Sequence, residues 1–124
     1  MPRGKTILYV DDYVDSRRLV RRVLVGEGYL CLEAENAADA LRQLERGEPD
    51  LILIDINLPD MNGYALTEKI RGRSSKRHIP ILAVTANTRP REDQEPSVST
   101  FESYIQKPID IDTLLRQIRR FLPN

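Results

Sequence analysis

The chain has a single cysteine, no tryptophan and no net charge. One thiol, Cys31, cannot close an intramolecular disulfide, which excludes the cross-linked scaffolds of small secreted domains. Lys and Arg together number 19, as do Asp and Glu, so overall charge does not draw the chain to nucleic acid, and a DNA-binding role would need a local patch. No apolar run approaches the roughly 18 residues of a membrane span, and no stretch has the pattern of a signal peptide. These absences predict a cytoplasmic protein with no direct nucleic-acid partner and no membrane insertion. Repeats, low-complexity tracts and linkers are missing too, and 124 residues suit one domain over 1–124 with a core large enough to need no disulfide or metal.

What is present is organised around Asp50 to Gly63, read DLILIDINLPDMNG. The apolar run Leu51 to Ile54 is too short for a globular helix and suits a strand buried on both faces, as in a parallel sheet. It meets Asp55, a carboxylate that is costly in the interior but reasonable at the carboxyl end of a parallel strand, where open α/β sheets place their ligand crevices. Leu58 to Gly63 reads as a turn-rich loop leading into a helix from Tyr64 to about Arg71.

The same alternation runs through the chain. Thr6 to Val10 reads as a strand ending at Asp11 and Asp12. Leu19, Val20, Val23 and Leu24 give a helix from about Asp15 to Glu27 its apolar positions, with Gly28 as the C′ residue. Leu30 to Ala34 makes a second strand, and Asn36 caps a helix whose inner stripe is Ala37, Ala40, Leu41 and Leu44. Ile81 to Val84 forms a fourth strand ending at Thr85, and Tyr104 with Ile105 a short fifth one, closed by Lys107-Pro108. Asp110 then caps a final helix with Ile111, Leu114, Leu115, Ile118 and Leu122 inward. The pattern predicts an α/β fold, a (βα)5 doubly wound five-stranded parallel sheet. Between Thr85 and Tyr104 the polar run NTRPREDQEPSVSTFES, with Pro90 and Pro96, predicts an irregular or shortened fourth helix.

If the first, third, fourth and fifth strands end on one edge, Asp11, Asp12, Asp55, Thr85 and Lys107 share a crevice. Two carboxylates about 4 Å apart repel by roughly 4 kcal/mol at an effective dielectric of about 20, so three of them call for a cation beyond one lysine. A hard divalent ion, Mg²⁺ with Mn²⁺ as a substitute, suits oxygen ligands, and the substrate it implies is a phosphoryl group. Taken singly, each of these aspartates reads more simply as a cap or turn former, and Thr85 and Lys107 as ordinary strand and surface residues. Their joint register argues for a site.

That register resembles the receiver domain of two-component response regulators, a flavodoxin-like, CheY-like fold. Asp11-Asp12 follow the first strand, Asp55 stands within LILIDINLPDMNG, Thr85-Ala86 follow IPILAV, and Lys107-Pro108 follow SYIQ, over the whole stretch Thr6 to Leu122. The resemblance implies a signalling phosphoacceptor, not a turnover enzyme, that contributes to its own Mg²⁺-dependent phosphorylation and dephosphorylation. Asp55 would take a phosphoryl group from a phosphohistidine of a sensor histidine kinase or histidine phosphotransfer protein. Asp12 and Asp55 would bind Mg²⁺ through side chains, Asn57 through its backbone carbonyl, and Asp11 mainly through water. Lys107 would pair with Asp55 or its phosphate, in a peptide that is cis to Pro108. Thr85 would hydrogen-bond a phosphoryl oxygen, and Tyr104 would turn inward to switch the surface met by a downstream protein target. Asn57 and Asn87, each two positions beyond a site residue, would tune dephosphorylation.

The first helix adds Arg17, Arg18, Arg21 and Arg22. Arg18 and Arg22 are read as a docking stripe for the phosphohistidine partner, against the simpler reading of a solvated basic face. Two rival functions remain at this level. A haloacid-dehalogenase-like phosphatase also uses a strand-end aspartate and Mg²⁺, but needs an acid/base aspartate where this chain has Asn57. A receiver-like interaction module without phosphorylation would not require the intact acidic pair, Asp55, Thr85 and Lys107.

Overall fold

The computed structural model describes residues 4–73, 78–86 and 101–122. The described chain runs β1 (Thr6–Val10), α1 (Val14–Gly26), β2 (Leu30–Ala34), α2 (Ala37–Leu44), β3 (Leu51–Asp55), α3 (Gly63–Arg71), β4 (Ile81–Thr85), β5 (Ser103–Gln106) and α4 (Ile111–Phe121). All strand pairs are parallel, in the order β2-β1-β3-β4-β5. β3 is central because its side chains are apolar on both faces. Leu51, Ile52, Leu53 and Ile54 are all fully buried, each contributing roughly 1.5–3 kcal/mol of apolar burial.

Two cores follow from strand alternation. Leu8, Val10, Ile52, Ile54 and Ile81 face α2 and α3 and pack with Ala40, Leu44, Leu66 and Ile70. Ile7, Tyr9, Leu51, Leu53 and Val84 face α1 and α4 and pack with Val20, Leu24, Leu114 and Ile118. Gly28 terminates α1 with φ +96°, the left-handed value that glycine tolerates. No helix among the described residues is long and apolar enough to cross a membrane.

Several sequence expectations shift. α1 and α3 each begin one residue earlier than the pattern suggested, at Val14 and Gly63. Ile111 is 39% exposed instead of inward, and Leu19, one of the apolar positions of α1, is 43% exposed. The buried line of α1 runs through Val20 and Leu24, and Leu19 lies a 100° step off it. Ile111 opens α4 at the strand tips, ahead of the turns that lie on the sheet. β2 is an edge strand, so Leu30 and Leu32 remain exposed. The fourth helix expected between Thr85 and Tyr104 falls outside the described residues, as does Asn87, and the helix numbered α4 is the final one capped by Asp110.

Candidate functional site

The strand order carries β1, β3, β4 and β5 to adjacent positions, so the residues at their carboxyl ends meet, while β2 flanks β1 on the outer side and ends at Ala34, which accepts the Asp11 N–H at 3.0 Å but brings no polar side chain. Asp11, Asp12 and Asp55 have carboxylate oxygens within 4.8 Å of one another. Asp11 is fully buried and Asp55 is 4% exposed, whereas Asp12 is exposed. Lys107 reaches in from the end of β5, with Nζ 3.1 Å from Asp11 Oδ2 and 3.3 Å from Asp55 Oδ2. Its backbone N–H donates to the Thr85 carbonyl at 2.8 Å, which fixes it beside the buried Thr85. The Lys107-Pro108 peptide is cis, as the resemblance implied.

The loops are built to hold this geometry. After β3, the Asn57 N–H donates to Asp55 Oδ1 at 3.1 Å, and Asn57 and Asn62 form an antiparallel bridge that closes the loop on itself. Asn62 then caps α3, its side chain accepting from the Ala65 N–H. Gly63 is required by space. A Cβ there would lie 2.9 Å from the Asp55 carbonyl oxygen and 2.9 Å from Ile56 Cα, so only glycine lets α3 start directly against the tip of β3.

Electrostatics follow from burial and neighbours. Desolvation pushes Asp55 above the ordinary carboxylate range, and the Asn57 N–H and Lys107 offset this only in part. Burial alone would lower Lys107, but the Asp55 and Asp11 carboxylates outweigh it and raise its pKa. Unit charges 4.8 Å apart repel by roughly 3.5 kcal/mol at an effective dielectric of about 20, and one ammonium balances one of three carboxylates. The donor set is all oxygen and anionic, so a hard divalent cation fits it.

Sequence reasoning missed four contributors. Tyr9, fully buried in β1, donates its hydroxyl to Asp11 Oδ2 at 2.5 Å; burial and the adjacent carboxylates push its phenol well above its usual range. The Tyr13 N–H donates to Asp11 Oδ1 at 2.9 Å. Arg17 Nη1 donates to the Asp11 carbonyl at 2.7 Å, and its Nε to Glu33 at 3.2 Å. Asp60 reaches across to the start of α2, accepting from the Ala37 and Ala38 N–H groups at 2.9 and 3.0 Å. Only the first was readable, because Tyr9 and Asp11 are two apart on a strand and share a face.

The arginines of α1 divide into two rows. Arg17 and Arg21 turn to the β2 edge and pair with Glu33. Arg18 and Arg22 are exposed and have no ion-pair partner among the described residues. Tyr104 is half-buried, stacked edge-to-face on Phe101, which packs the same way on Tyr64.

A family model described as "Response regulator receiver domain" matches residues 7–119. The sensor histidine kinase RcsC of Salmonella typhimurium is 39% identical over 108 residues, 87% of this chain, and the chain spans only 11% of that kinase's length. Chemotaxis response regulator CheY4 of Vibrio cholerae superposes with a TM-score of 0.89 at 30% identity, covering 96% of this chain and 99% of that one. Response regulator TrrA of Thermotoga maritima, solved in complex with Mg²⁺-BeF, gives a TM-score of 0.84 at 32% identity, covering 95% of this chain and 99% of that one.

Proposed function

Because the chain belongs to the response regulator receiver family, whose members are signalling phosphoacceptors, we propose that residues 1–124 form one receiver domain in which Asp55 is the acceptor. The observation that carries this is the nearly buried Asp55 carboxylate, with Lys107 Nζ 3.3 Å away and two further carboxylates within 4.8 Å. One Asp55 oxygen bonds to phosphorus as the P–N bond of a donor phosphohistidine breaks, and the electron pair returns to the imidazole nitrogen. The elevated pKa of Asp55 means that desolvation has weakened its ionised form; Lys107 and the Asn57 N–H keep that form accessible and aim it. Most of the rate then comes from positioning and charge compensation.

Asp12 and Asp55 would hold a divalent ion through their side chains, Asn57 through its carbonyl and Asp11 through water. Mg²⁺, or Mn²⁺ in its place, supplies when bound a counter-charge for the phosphoryl oxygens. The Mg²⁺-BeF complex of TrrA, which shares this fold, supports the choice of a divalent ion. Lys107 turns from the carboxylates to a phosphoryl oxygen, Thr85 donates its hydroxyl to another, and Tyr104 moves with Thr85 to alter the face read by a downstream protein. Asn57 and Asn87 tune how readily water reaches the acyl phosphate, since an amide positions water without abstracting its proton.

The donor is a sensor histidine kinase or histidine phosphotransfer protein in the cytoplasm. α1 begins two residues after Asp12, and at 1.5 Å per residue Arg18 stands about 6 Å and Arg22 about 12 Å along the axis from Val14. With Arg17 and Arg21 engaged by Glu33, the outer row Arg18 and Arg22 is the one available to an acidic partner. Incubation with acetyl phosphate and Mg²⁺ should add one labile phosphoryl group, and Asp55→Asn should abolish it. Full labelling of that variant would sink the assignment.

A further inference from the structure

Asp11 is the most enclosed charged group of the site, with no exposure of its own. Its carboxylate is covered by protein, and both of its oxygens take protein donors. Oδ1 takes the Tyr13 N–H. Oδ2 takes two donors, the Tyr9 hydroxyl at 2.5 Å and Lys107 Nζ at 3.1 Å. The same ammonium is also the side-chain partner of Asp55 Oδ2, at 3.3 Å. Asp11 and Asp55 therefore compete for one lysine.

Of these donors Lys107 is shared with Asp55, and Tyr9 is the side chain that serves Asp11 alone. Its ring is fully buried among Leu53, Leu24 and Leu114 in the core between the sheet and α1 and α4, so its hydroxyl has one place to go. It stands two residues below Asp11 on β1, on the same side of the strand, and reaches neither the Asp55 carboxylate by hydrogen bond nor the mouth of the crevice.

We propose that the Tyr9 hydroxyl is a positioning group of the phosphoacceptor site, which satisfies Asp11 from below and so leaves Lys107 shared with Asp55. The proposal rests on the reading of Asp55 as acceptor. Without the phenol, Asp11 Oδ2 would have Lys107 alone, and the ammonium would be drawn to the more deeply buried carboxylate and away from the reacting one. Tyr9→Phe removes one oxygen and keeps the packed ring, so the fold is expected to survive; unchanged far-ultraviolet circular dichroism and a cooperative urea transition check this.

The test has three arms. At saturating acetyl phosphate and Mg²⁺, Tyr9→Phe should slow labelling of Asp55 about fivefold to tenfold, with the Mg²⁺ midpoint within twofold of wild type because Asp12 and Asp55 still bind it. In an Asp11→Ala background the competition is gone, and adding Tyr9→Phe should change the rate less than twofold. In metal-free protein, ¹⁵N-edited spectra of the Lys107 ammonium should move on Tyr9→Phe and stay put in the Asp11→Ala pair. A normal labelling rate in folded Tyr9→Phe, or equal slowing with and without Asp11, would overturn the proposal. If wild type takes no label at Asp55, the phosphoacceptor reading itself fails, and the metal-free ammonium signal still decides whether the phenol apportions Lys107.

Discussion

Asp60 joins the loop after β3 to a helix more than twenty residues upstream, and its removal should be felt in both. α2 is eight residues long, so its ends weigh heavily in its stability. Asn36 accepts the Asp39 N–H as an N-cap at 2.8 Å, and Asp60 accepts the two amides before it, those of Ala37 and Ala38. All three amides of the first turn are thereby engaged. Partial desolvation pushes Asp60 up, but the N–H groups of Ala37, Ala38, Asp60 itself and Met61 outweigh it and hold its pKa below the ordinary carboxylate value.

Losing a capping side chain costs about 0.5–2 kcal/mol. Asp60 is exposed, and solvent screening argues for the middle of that range or below, so Asp60→Ala should cost about 1 kcal/mol, or about 4 °C in Tm for a domain of this size. The pH dependence has a definite sign. A carboxylate with a depressed folded pKa adds stability above its unfolded value, near 4, and loses it as pH falls through the folded one. Urea unfolding of variant and wild type should therefore show a gap of about 1 kcal/mol at pH 7 that narrows below about pH 4. Amide exchange at Ala37 and Ala38 should quicken at neutral pH. A gap that is constant from pH 7 to pH 3, or no gap at pH 7, would refute the argument.

Gly63→Ala should destabilise the fold by about 1–3 kcal/mol, since its Cβ would meet backbone atoms of Asp55 and Ile56 that cannot move without shifting the tip of β3; an unchanged denaturation midpoint would contradict this. Asp12→Ala should weaken Mg²⁺ binding far more than Asp11→Ala, because Asp11 is enclosed by Tyr9, Tyr13 and Lys107 while Asp12 is exposed; equal losses in a metal titration would be the contrary result. Reversing Arg18 and Arg22 to Glu should slow transfer from the phosphohistidine partner several-fold and leave the rate from acetyl phosphate unchanged; parallel loss with both donors would indicate misfolding.

Much of this architecture was legible because burial leaves a mark on composition. The run Leu51 to Ile54 announces a strand covered on both faces, and Gly28 and Asn36 mark helix ends where the structure has them. The crevice was legible because four strand-end residues fall in one register. Less visible was whatever depends on strand order or on distant pairing. Leu30 and Leu32 look like core residues until β2 proves to be the edge. Leu19 and Ile111 are apolar without being covered. No local spacing could tell that Asp60 holds Ala37, or that Glu33 claims Arg17 and Arg21 and leaves Arg18 and Arg22 outside.

The edge position of β2 has a consequence for solubility under stress. An open strand with two exposed leucines is a template on which another chain can add a strand and seed aggregation. Here Gln43 of α2 closes part of that template, its Nε2 donating to the Glu33 carbonyl at 2.7 Å, while the Glu33 side chain is held in ion pairs with α1. The guard is thus carried by the shortest helix in the described chain. Opening of α2 alone, with the rest of the domain intact, would release the carbonyl and uncover Leu8 and Ala34 beside Leu30 and Leu32. Resistance to aggregation is then governed by the local stability of one eight-residue helix and by the carboxylate that clasps its first turn, more than by the free energy of unfolding the whole domain.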